Sequence, residues 1–96
     1  MLILEKDIES YLFKRVKQLK GLCLKLPANL YEGIPDRLVL LPKGRIGFAE
    51  LKRPQDGRLE KLQPFWHKLL RELGFKVYIP KTKEEVEAML DDLQRN

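Results

Sequence analysis

Glu50 and Lys52 lie two positions apart in the stretch GFAELKRP, residues 47–54. In an extended chain, residues i and i+2 project to the same face, so a carboxylate and an ammonium group would stand side by side. Such a pair is either the solvated face of an ordinary strand or half of a metal-dependent hydrolytic site. The sequence on either side of Glu50 and Lys52 decides between these two interpretations.

The residues before this stretch predict a β-hairpin that brings a second acid to the same face. Pro42-Lys43-Gly44 has the proline and the glycine that a three-residue hairpin loop favours. This loop places Leu41 opposite Arg45, and counting outward from that pair places Asp36 opposite Glu50. Because opposed residues project to the same face, Asp36 and Glu50 are predicted to form an acid pair.

Two carboxylates about 5 Å apart destabilise a hairpin unless positive charge lies between them, because each raises the cost of ionising the other. A divalent cation such as Mg²⁺, which prefers hard oxygen ligands, removes this cost. Lys52 shares the face of Glu50, so its ammonium group could orient an attacking water or neutralise developing charge, and its neutral amine could deprotonate that water. Asp36, Glu50 and Lys52 together therefore predict metal-dependent hydrolysis of a phosphodiester.

Apolar periodicity predicts three helices and four strands around this hairpin. The predicted helices span residues 5–20, residues 59–73 and the segment after Thr82, and the predicted strands span residues 22–26, 37–41, 45–51 and 76–79. The hairpin makes the early sheet antiparallel, whereas a helical crossover makes the last strand parallel to the third. The order helix-strand-strand-strand-helix-strand-helix with a mixed sheet predicts an α/β fold.

The second predicted helix carries an apolar stripe. Leu62, Trp66, Leu69 and Leu73 recur at helical spacing, which predicts that this side of the helix packs in the core. Trp66 is accordingly predicted to be a core residue rather than a base-stacking one. His67 lies one step off the stripe, without a partner at ligand spacing, and is predicted to lie at the surface.

Length and composition fit one domain, residues 1–96, since 96 residues with 44% hydrophobic content leave no room for a second core. The apolar run Met1–Leu4 is too short for a signal peptide or a membrane span, which predicts a cytoplasmic protein without membrane contact. Cys23 is the single cysteine, so neither an internal disulfide nor a cysteine-rich zinc site is expected. Self-association is the remaining route to additional buried surface.

Positive charge is concentrated in the first half of the chain. The net charge is +5, and Ser10–Tyr31 holds five basic residues with no acidic residue. This distribution suits binding to a phosphate backbone, with a solvated lysine-rich helix face as the alternative. The predicted DNA contacts are Lys14, Lys17 and Lys20 in this basic segment, and Arg37, Arg53, Arg58 and Lys61 near the acid pair.

Four short blocks of the sequence resemble a known nuclease family. Pro35-Asp36 followed by Glu50-Leu51-Lys52 matches the PD-(D/E)xK nuclease signature, and the wider pattern resembles the virus-type replication-repair nuclease domain, VRR-NUC. The resemblance runs from Glu5 to about Val86. The four blocks are Gly33–Arg37, Phe48–Pro54, Gln63 with Trp66, and Gly74–Tyr78.

This resemblance implies a restriction-endonuclease-like core and a nuclease that uses Mg²⁺ or Mn²⁺ to cut branched DNA such as Holliday junctions. It implies that Asp36 and Glu50 bind the metal together with the backbone carbonyl of Leu51. Lys52 would then activate or position the attacking water. A non-catalytic, basic DNA-binding module with the same fold is the alternative function.

The resemblance also implies supporting residues in the flanking helices. Gln63, in the first turn of the second helix, would help to position the water or Lys52. Either Glu5 or Glu9, four residues apart on one face of the first helix, would complete the site. Small stand-alone members resemble Holliday-junction resolvases in working as dimers, which implies a homodimer or a higher homo-oligomer here.

Overall fold

A computed structural model of the chain describes residues 3–27, 29–51 and 62–95. In these residues the predicted order of helices and strands is confirmed. The helices are α1 (Glu5–Gln18), α2 (Gln63–Glu72) and α3 (Lys83–Gln94), and the strands are β1 (Leu22–Lys25), β2 (Arg37–Leu41), β3 (Arg45–Ala49) and β4 (Lys76–Tyr78). The third strand ends two residues earlier than predicted, and the beginning of the predicted helix 59–73 lies outside the described residues.

The four strands form one sheet in the order β1-β2-β3-β4. The pairs β1–β2 and β2–β3 are antiparallel and β3–β4 is parallel, so the predicted mixed sheet is confirmed. Leu41 pairs with Arg45 and Arg37 pairs with Ala49, which is the predicted register of the hairpin. The turn reaches this register with both Lys43 (φ 70°) and Gly44 (φ 73°) in the left-handed conformation, rather than the glycine alone.

Gly21 joins α1 to β1 and is required there for space. A Cβ atom on Gly21 would lie 2.3 Å from the backbone oxygen of Leu40, so a larger residue would push α1 away from β2. The left-handed residue after α1 is Lys20, with φ 67°. The glycine therefore sets how closely the helix approaches the hairpin.

One face of the sheet is buried under α1 and α3. Gly47 on β3 permits this packing, because a Cβ atom there would lie 2.9 Å from the side chain of Leu93. The buried core on this face is made of side chains from both helices and the two central strands. Its members are Ile8, Leu12, Val16, Val39, Leu41, Ala49, Leu51, Val86, Met89, Leu90 and Leu93.

Polar contacts at the margin of this core tie α1 to α3. Glu87 of α3 accepts hydrogen bonds from the Tyr11 hydroxyl at 2.5 Å and from Arg15 Nε at 2.6 Å. These two donors lower the pKa of the Glu87 carboxyl below its usual range. At the start of α3, the Thr82 hydroxyl accepts a hydrogen bond from the backbone nitrogen of Glu85 at 3.0 Å, which caps the helix.

We expect Asp92→Asn to reduce the acid sensitivity of folding. Hydrogen bonds from the hydroxyl of Tyr78, at 2.6 Å, and from Arg95 and Lys76 lower the pKa of Asp92 from 3.8 to about 2. Because the folded-state pKa is the lower one, this stabilisation is complete above about pH 4 and is lost as the pH falls towards 2. Urea midpoints measured near pH 6 and near pH 3 should differ less for the variant than for the wild type. Equal differences would contradict this assignment.

The orientation of α2 differs from the sequence-based prediction. Its buried side chains are Gln63, His67 and Leu70. The predicted apolar stripe faces outward instead, because Leu73 at its end is 65% exposed, Leu62 is exposed, and Trp66 and Leu69 are only partly buried. The prediction that the stripe packs in the core is therefore wrong. Periodicity shows which side of a helix is apolar, but it does not show which side a neighbouring element covers.

Trp66 and His67 each depart from their predicted positions because α2 is oriented differently from the prediction. The Trp66 indole Nε1 donates a hydrogen bond to the backbone oxygen of Glu32 at 2.8 Å, and its ring lies 5.4 Å from that of Tyr31. Trp66 therefore fastens the loop before Asp36 to α2 rather than filling the core. His67, predicted to lie at the surface, is 2% exposed, so that prediction is wrong.

None of the helices in the described residues is long and apolar enough to cross a bilayer.

Candidate active site

The acid pair lies where β2 begins and β3 ends. Arg37 and Ala49 are the last paired residues of the hairpin, and Asp36 and Glu50 directly adjoin them. The Asp36 carboxylate Oδ1 accepts a hydrogen bond from the backbone nitrogen of Leu51 at 3.3 Å, so it reaches across the end of the hairpin. The turn chemistry of residues 42–44 thus brings both predicted metal ligands and Leu51 to one place.

Glu50 is held in a nearly closed environment. Its backbone nitrogen donates a hydrogen bond to the oxygen of Tyr78 at 2.8 Å, which continues the β3–β4 pairing to the site. Its carboxylate Oε1 lies 3.7 Å from His67 Nε2, and both side chains are buried. A buried carboxylate is stable in its charged form only beside cationic or hydrogen-bonding groups. The surroundings of Glu50 therefore suit a residue that binds a cation.

His67 is a site residue that the sequence analysis missed. Gln63, predicted to assist the chemistry, is buried in the first turn of α2, and His67 follows it by four residues on the same side of that helix. The four-residue spacing between Gln63 and His67 is the sequence signal that would have identified His67. It was missed because the apolar stripe was assumed to face the core.

Arg37 links the first helix to the acid pair. One guanidinium nitrogen, Nη2, forms an ion pair with the Glu9 carboxylate of α1. The other, Nη1, donates a hydrogen bond to the backbone oxygen of Asp36 at 2.9 Å and lies 3.6 Å from its carboxylate Oδ1. Arg37 is only 5% exposed, so its position disagrees with the predicted contact to a DNA phosphate. Its contacts are those of a residue that positions Glu9 and Asp36.

The two candidate glutamates of the first helix are placed differently. Glu9 is partly buried and pairs with Arg37, so it lies beside Asp36. Glu5 is exposed in the first turn of α1, one turn before Glu9. The geometry therefore brings Glu9 rather than Glu5 to the acid pair.

The other predicted site residues are distributed along the chain in two groups. Lys14, Lys17 and Lys20 are exposed, on α1 and just after it. At 1.5 Å per residue, Lys14 and Lys17 lie about 8 Å and 12 Å along the helix axis from Glu9, towards the hairpin turn. The predicted catalytic Lys52 and the predicted DNA contacts Arg53, Arg58 and Lys61 lie outside the described residues.

The donors at this site fit a hard divalent cation. The carboxylates of Asp36 and Glu50 lie at the end of the hairpin next to the backbone of Leu51, and Mg²⁺ is commonly held by one or two carboxylates with waters completing its shell. The described residues contain no group of three or more His, Cys, Asp and Glu side chains that could hold a metal. A closed structural metal site is therefore not found among them, and the acid pair is the candidate metal site.

Cys23 can be set aside as a nucleophile. Its side chain is half-buried on β1, and burial raises the pKa of its thiol to about 11. The thiol is therefore protonated near neutral pH, and a protonated thiol is a poor nucleophile.

Comparison with known proteins agrees with this geometry. A solved structure described as a VRR_NUC domain superposes with a TM-score of 0.82 and 30% sequence identity, covering 91% of this chain and 94% of the matched one. A protein named as a candidate nuclease, p44, from Acyrthosiphon pisum secondary endosymbiont phage 1 is 38% identical over 81 residues, which is 81% of this chain and 83% of p44. The chain belongs to the VRR-NUC family. No family model matches it.

Membership of the VRR-NUC family confirms the expected fold. The α/β architecture with a four-stranded mixed sheet flanked by helices is that of a VRR-NUC nuclease. Both the fold and the nuclease name of the phage relative support a nuclease as the activity of this VRR-NUC chain.

Proposed function

We propose that this VRR-NUC protein is a metal-dependent endonuclease that hydrolyses phosphodiester bonds in branched DNA such as Holliday junctions. The observation that carries this proposal is the convergence of Asp36 and Glu50 at one end of the β2–β3 hairpin, beside Leu51. A phosphodiester is cleaved by a positioned water, and two carboxylates with a carbonyl are the ligands that hydrolytic Mg²⁺ and Mn²⁺ sites use.

Asp36, Glu50 and the Leu51 carbonyl would hold the cation. A bound Mg²⁺ or Mn²⁺ supplies the acidity that activates water and the positive charge that stabilises the leaving oxygen. Lys52, two residues after Glu50, orients the attacking water as the ammonium ion or takes up its proton as the neutral amine. Gln63, buried at the start of α2, helps to hold that water or Lys52 in place.

Three further residues position these groups. Arg37 connects the Asp36 carboxylate to Glu9, so the first helix is fixed relative to the acid pair. His67 lies against Glu50 and limits the orientations of its carboxylate. Residues that hold metal ligands in this way often change metal affinity by 10- to 100-fold when they are removed.

The distribution of positive charge supports DNA as the substrate. The exposed Lys14, Lys17 and Lys20 extend from the region of Glu9 along α1, on a chain with a net charge of +5. Together with the basic residues of 52–61, they would neutralise backbone phosphates. We further propose that the protein acts as a homodimer or a higher homo-oligomer, since two sites related by symmetry suit paired incisions in a four-way junction.

The proposal is tested by incubating the protein with a labelled four-way junction and with linear duplex of the same arm sequence. Each DNA is incubated with Mg²⁺, with Mn²⁺ and with a chelator. We expect nicks in the junction with either metal, fewer nicks in the duplex and none with the chelator. Binding of the junction without nicks under every condition would instead identify the chain as a non-catalytic DNA-binding module.

We expect His67→Phe to weaken binding of Mn²⁺ by about 10-fold or more, because the ring fills the site of His67 but offers Glu50 no polar contact. His67→Gln, which retains a polar group on the side chain, is the matched variant and should lose less. Calorimetric titration with Mn²⁺ alone measures both affinities without any cleavage assay. Wild-type affinity in His67→Phe would limit His67 to a packing role.

A further inference from the structure

Three aromatic side chains form an exposed cluster where the loop before Asp36 meets the first turn of α2. Tyr31 is 59% and Phe65 is 60% exposed, and Trp66, which contacts both, is partly buried. The ring centroid of Trp66 lies 5.4 Å from that of Tyr31 and 5.9 Å from that of Phe65. We call these three residues the aromatic platform. Rings that remain this exposed gain little from burial in the protomer, so the platform is a candidate binding surface.

The loop and the helix that carry the platform are fixed to each other. The Trp66 indole donates its hydrogen bond to the backbone oxygen of Glu32, which holds α2 against the loop. Gly33 permits this close approach, because a Cβ atom there would lie 2.7 Å from the backbone carbon of Leu62. A surface that is organised in advance binds with less loss of conformational freedom than one that has to be ordered by its ligand.

The platform borders the candidate active site. On α2, Trp66 directly precedes His67, whose Nε2 lies 3.7 Å from the Glu50 carboxylate. On the loop, Tyr31 precedes Asp36 by five residues, which span at most about 17 Å of extended chain. At a rise of about 3.4 Å per nucleotide, the rings therefore lie within about five nucleotides of a phosphate bound at the acid pair.

The chemistry of the platform favours a nucleic-acid base as its occupant. Aromatic side chains stack on bases of any sequence, because every base has a flat π face. Lys68 is exposed and follows Phe65 by three residues, so it lies on the same side of α2 and can contact a backbone phosphate. Aromatic rings beside basic side chains are the combination that binds unpaired nucleic-acid strands.

An intact duplex does not offer a base to such a platform. Each base in it is covered on both faces by its neighbours, and exposing a face costs the energy of unstacking. At a branch point the continuous stack is interrupted, so a base face becomes available at little cost. A stacking surface beside a catalytic site therefore favours branched over linear DNA.

We propose that the aromatic platform stacks on a base that is unstacked at a branch point of the DNA. This inference rests on the proposed nuclease function and deepens it, because it names the residues that make this VRR-NUC chain prefer branched DNA. Stacking on Tyr31 and Phe65 anchors the branch point, and a phosphate close to it is thereby held at the acid pair.

The test is binding of a labelled four-way junction and of linear duplex of the same arm sequence, measured by fluorescence anisotropy with a chelator present so that neither DNA is cut. Phe65→Leu and Tyr31→Leu each keep an apolar side chain and remove a flat ring. We expect each variant to bind the junction about 5-fold or more weakly and to bind the duplex like the wild type. Phe65→Tyr retains the ring and should keep wild-type affinity for the junction.

Trp66 reports on the same contact directly, because it is the single tryptophan of the chain. Its fluorescence should be quenched when the junction binds to the wild type, and less so when the junction saturates Phe65→Leu. Unchanged Trp66 emission in the wild type saturated with junction would contradict stacking at the platform.

Phe75→Leu is the matched control. It makes the same change at a phenylalanine that is 39% exposed beyond the other end of α2, and it should bind the junction like the wild type. Circular dichroism should show that all variants remain folded, because the substituted side chains are exposed in the protomer.

Three results would overturn the platform proposal. The first is equal affinity of the wild type for junction and duplex, and the second is that Phe65→Leu and Tyr31→Leu lose affinity for both DNAs equally or for neither. The third is a fall in solution mass of these variants with unchanged DNA affinity, which would assign the platform to a protein contact. Cleavage with Mg²⁺ on the same preparations tests the nuclease proposal separately, because stacking is measured without cleavage.

Discussion

Asp36→Asn should reduce metal-dependent cleavage of a four-way junction by at least about 1,000-fold and leave binding of the junction largely intact. Asparagine keeps the shape of the side chain and can still accept the hydrogen bond from the Leu51 nitrogen. It removes the negative charge that the cation requires. The variant should therefore bind Mn²⁺ much more weakly, as measured by calorimetry with the metal alone.

A distant acid provides the control for this variant. Asp91→Asn makes the same chemical change at an exposed position on α3 and should retain wild-type cleavage. Thermal unfolding of both variants separates loss of chemistry from loss of structure. Cleavage by Asp36→Asn at the wild-type rate would remove Asp36 from the mechanism and, with it, the acid pair as the metal site.

The hairpin shows which part of the site can be derived from sequence. Its register follows from the turn residues 42–44, because loop length and turn chemistry are local properties. The structure has the predicted pairing of Leu41 with Arg45. Once that pair is fixed, the positions of Asp36 and Glu50 follow by counting, and no information on distant contacts is needed.

The contacts between different elements could not be derived in the same way. Arg37 was predicted to be one of the DNA contacts near the acid pair. In the structure it is enclosed between Glu9 of α1 and Asp36, a pairing between segments 28 positions apart along the chain. The choice between Glu5 and Glu9 depended on the same packing, since both are acidic residues on one side of the first turns of α1.

The error in the orientation of α2 has a physical explanation that bears on function. An amphipathic helix normally buries its apolar side, because that burial stabilises the fold. Here α2 buries Gln63 and His67 against the site, whereas its apolar stripe is exposed at Leu62 and Leu73 and only partly buried between them. A functional requirement for polar groups beside Glu50 accounts for the burial of Gln63 and His67.

Lys52→Ala should reduce junction cleavage by about 100- to 1,000-fold while leaving the affinity for Mn²⁺ close to that of the wild type. Lys52 is not among the oxygen ligands, so its loss removes a group that acts on the attacking water or on developing charge, and not one that holds the metal. This outcome is the reverse of that for Asp36→Asn in the metal titration. The two variants together therefore separate cation binding from water activation.

Lys52→Ala also removes a positive charge, which weakens DNA binding. The control variant must therefore lose a positive charge as well. Lys43→Gly removes an ammonium group at the opposite end of the same hairpin, and glycine tolerates the left-handed conformation of that position, φ 70°. Cleavage under saturating DNA should remain near wild type in Lys43→Gly. If Lys52→Ala cleaves saturating DNA as fast as Lys43→Gly, Lys52 contributes only to DNA affinity, and the water must be positioned by another group, for which Gln63 of α2 is the candidate.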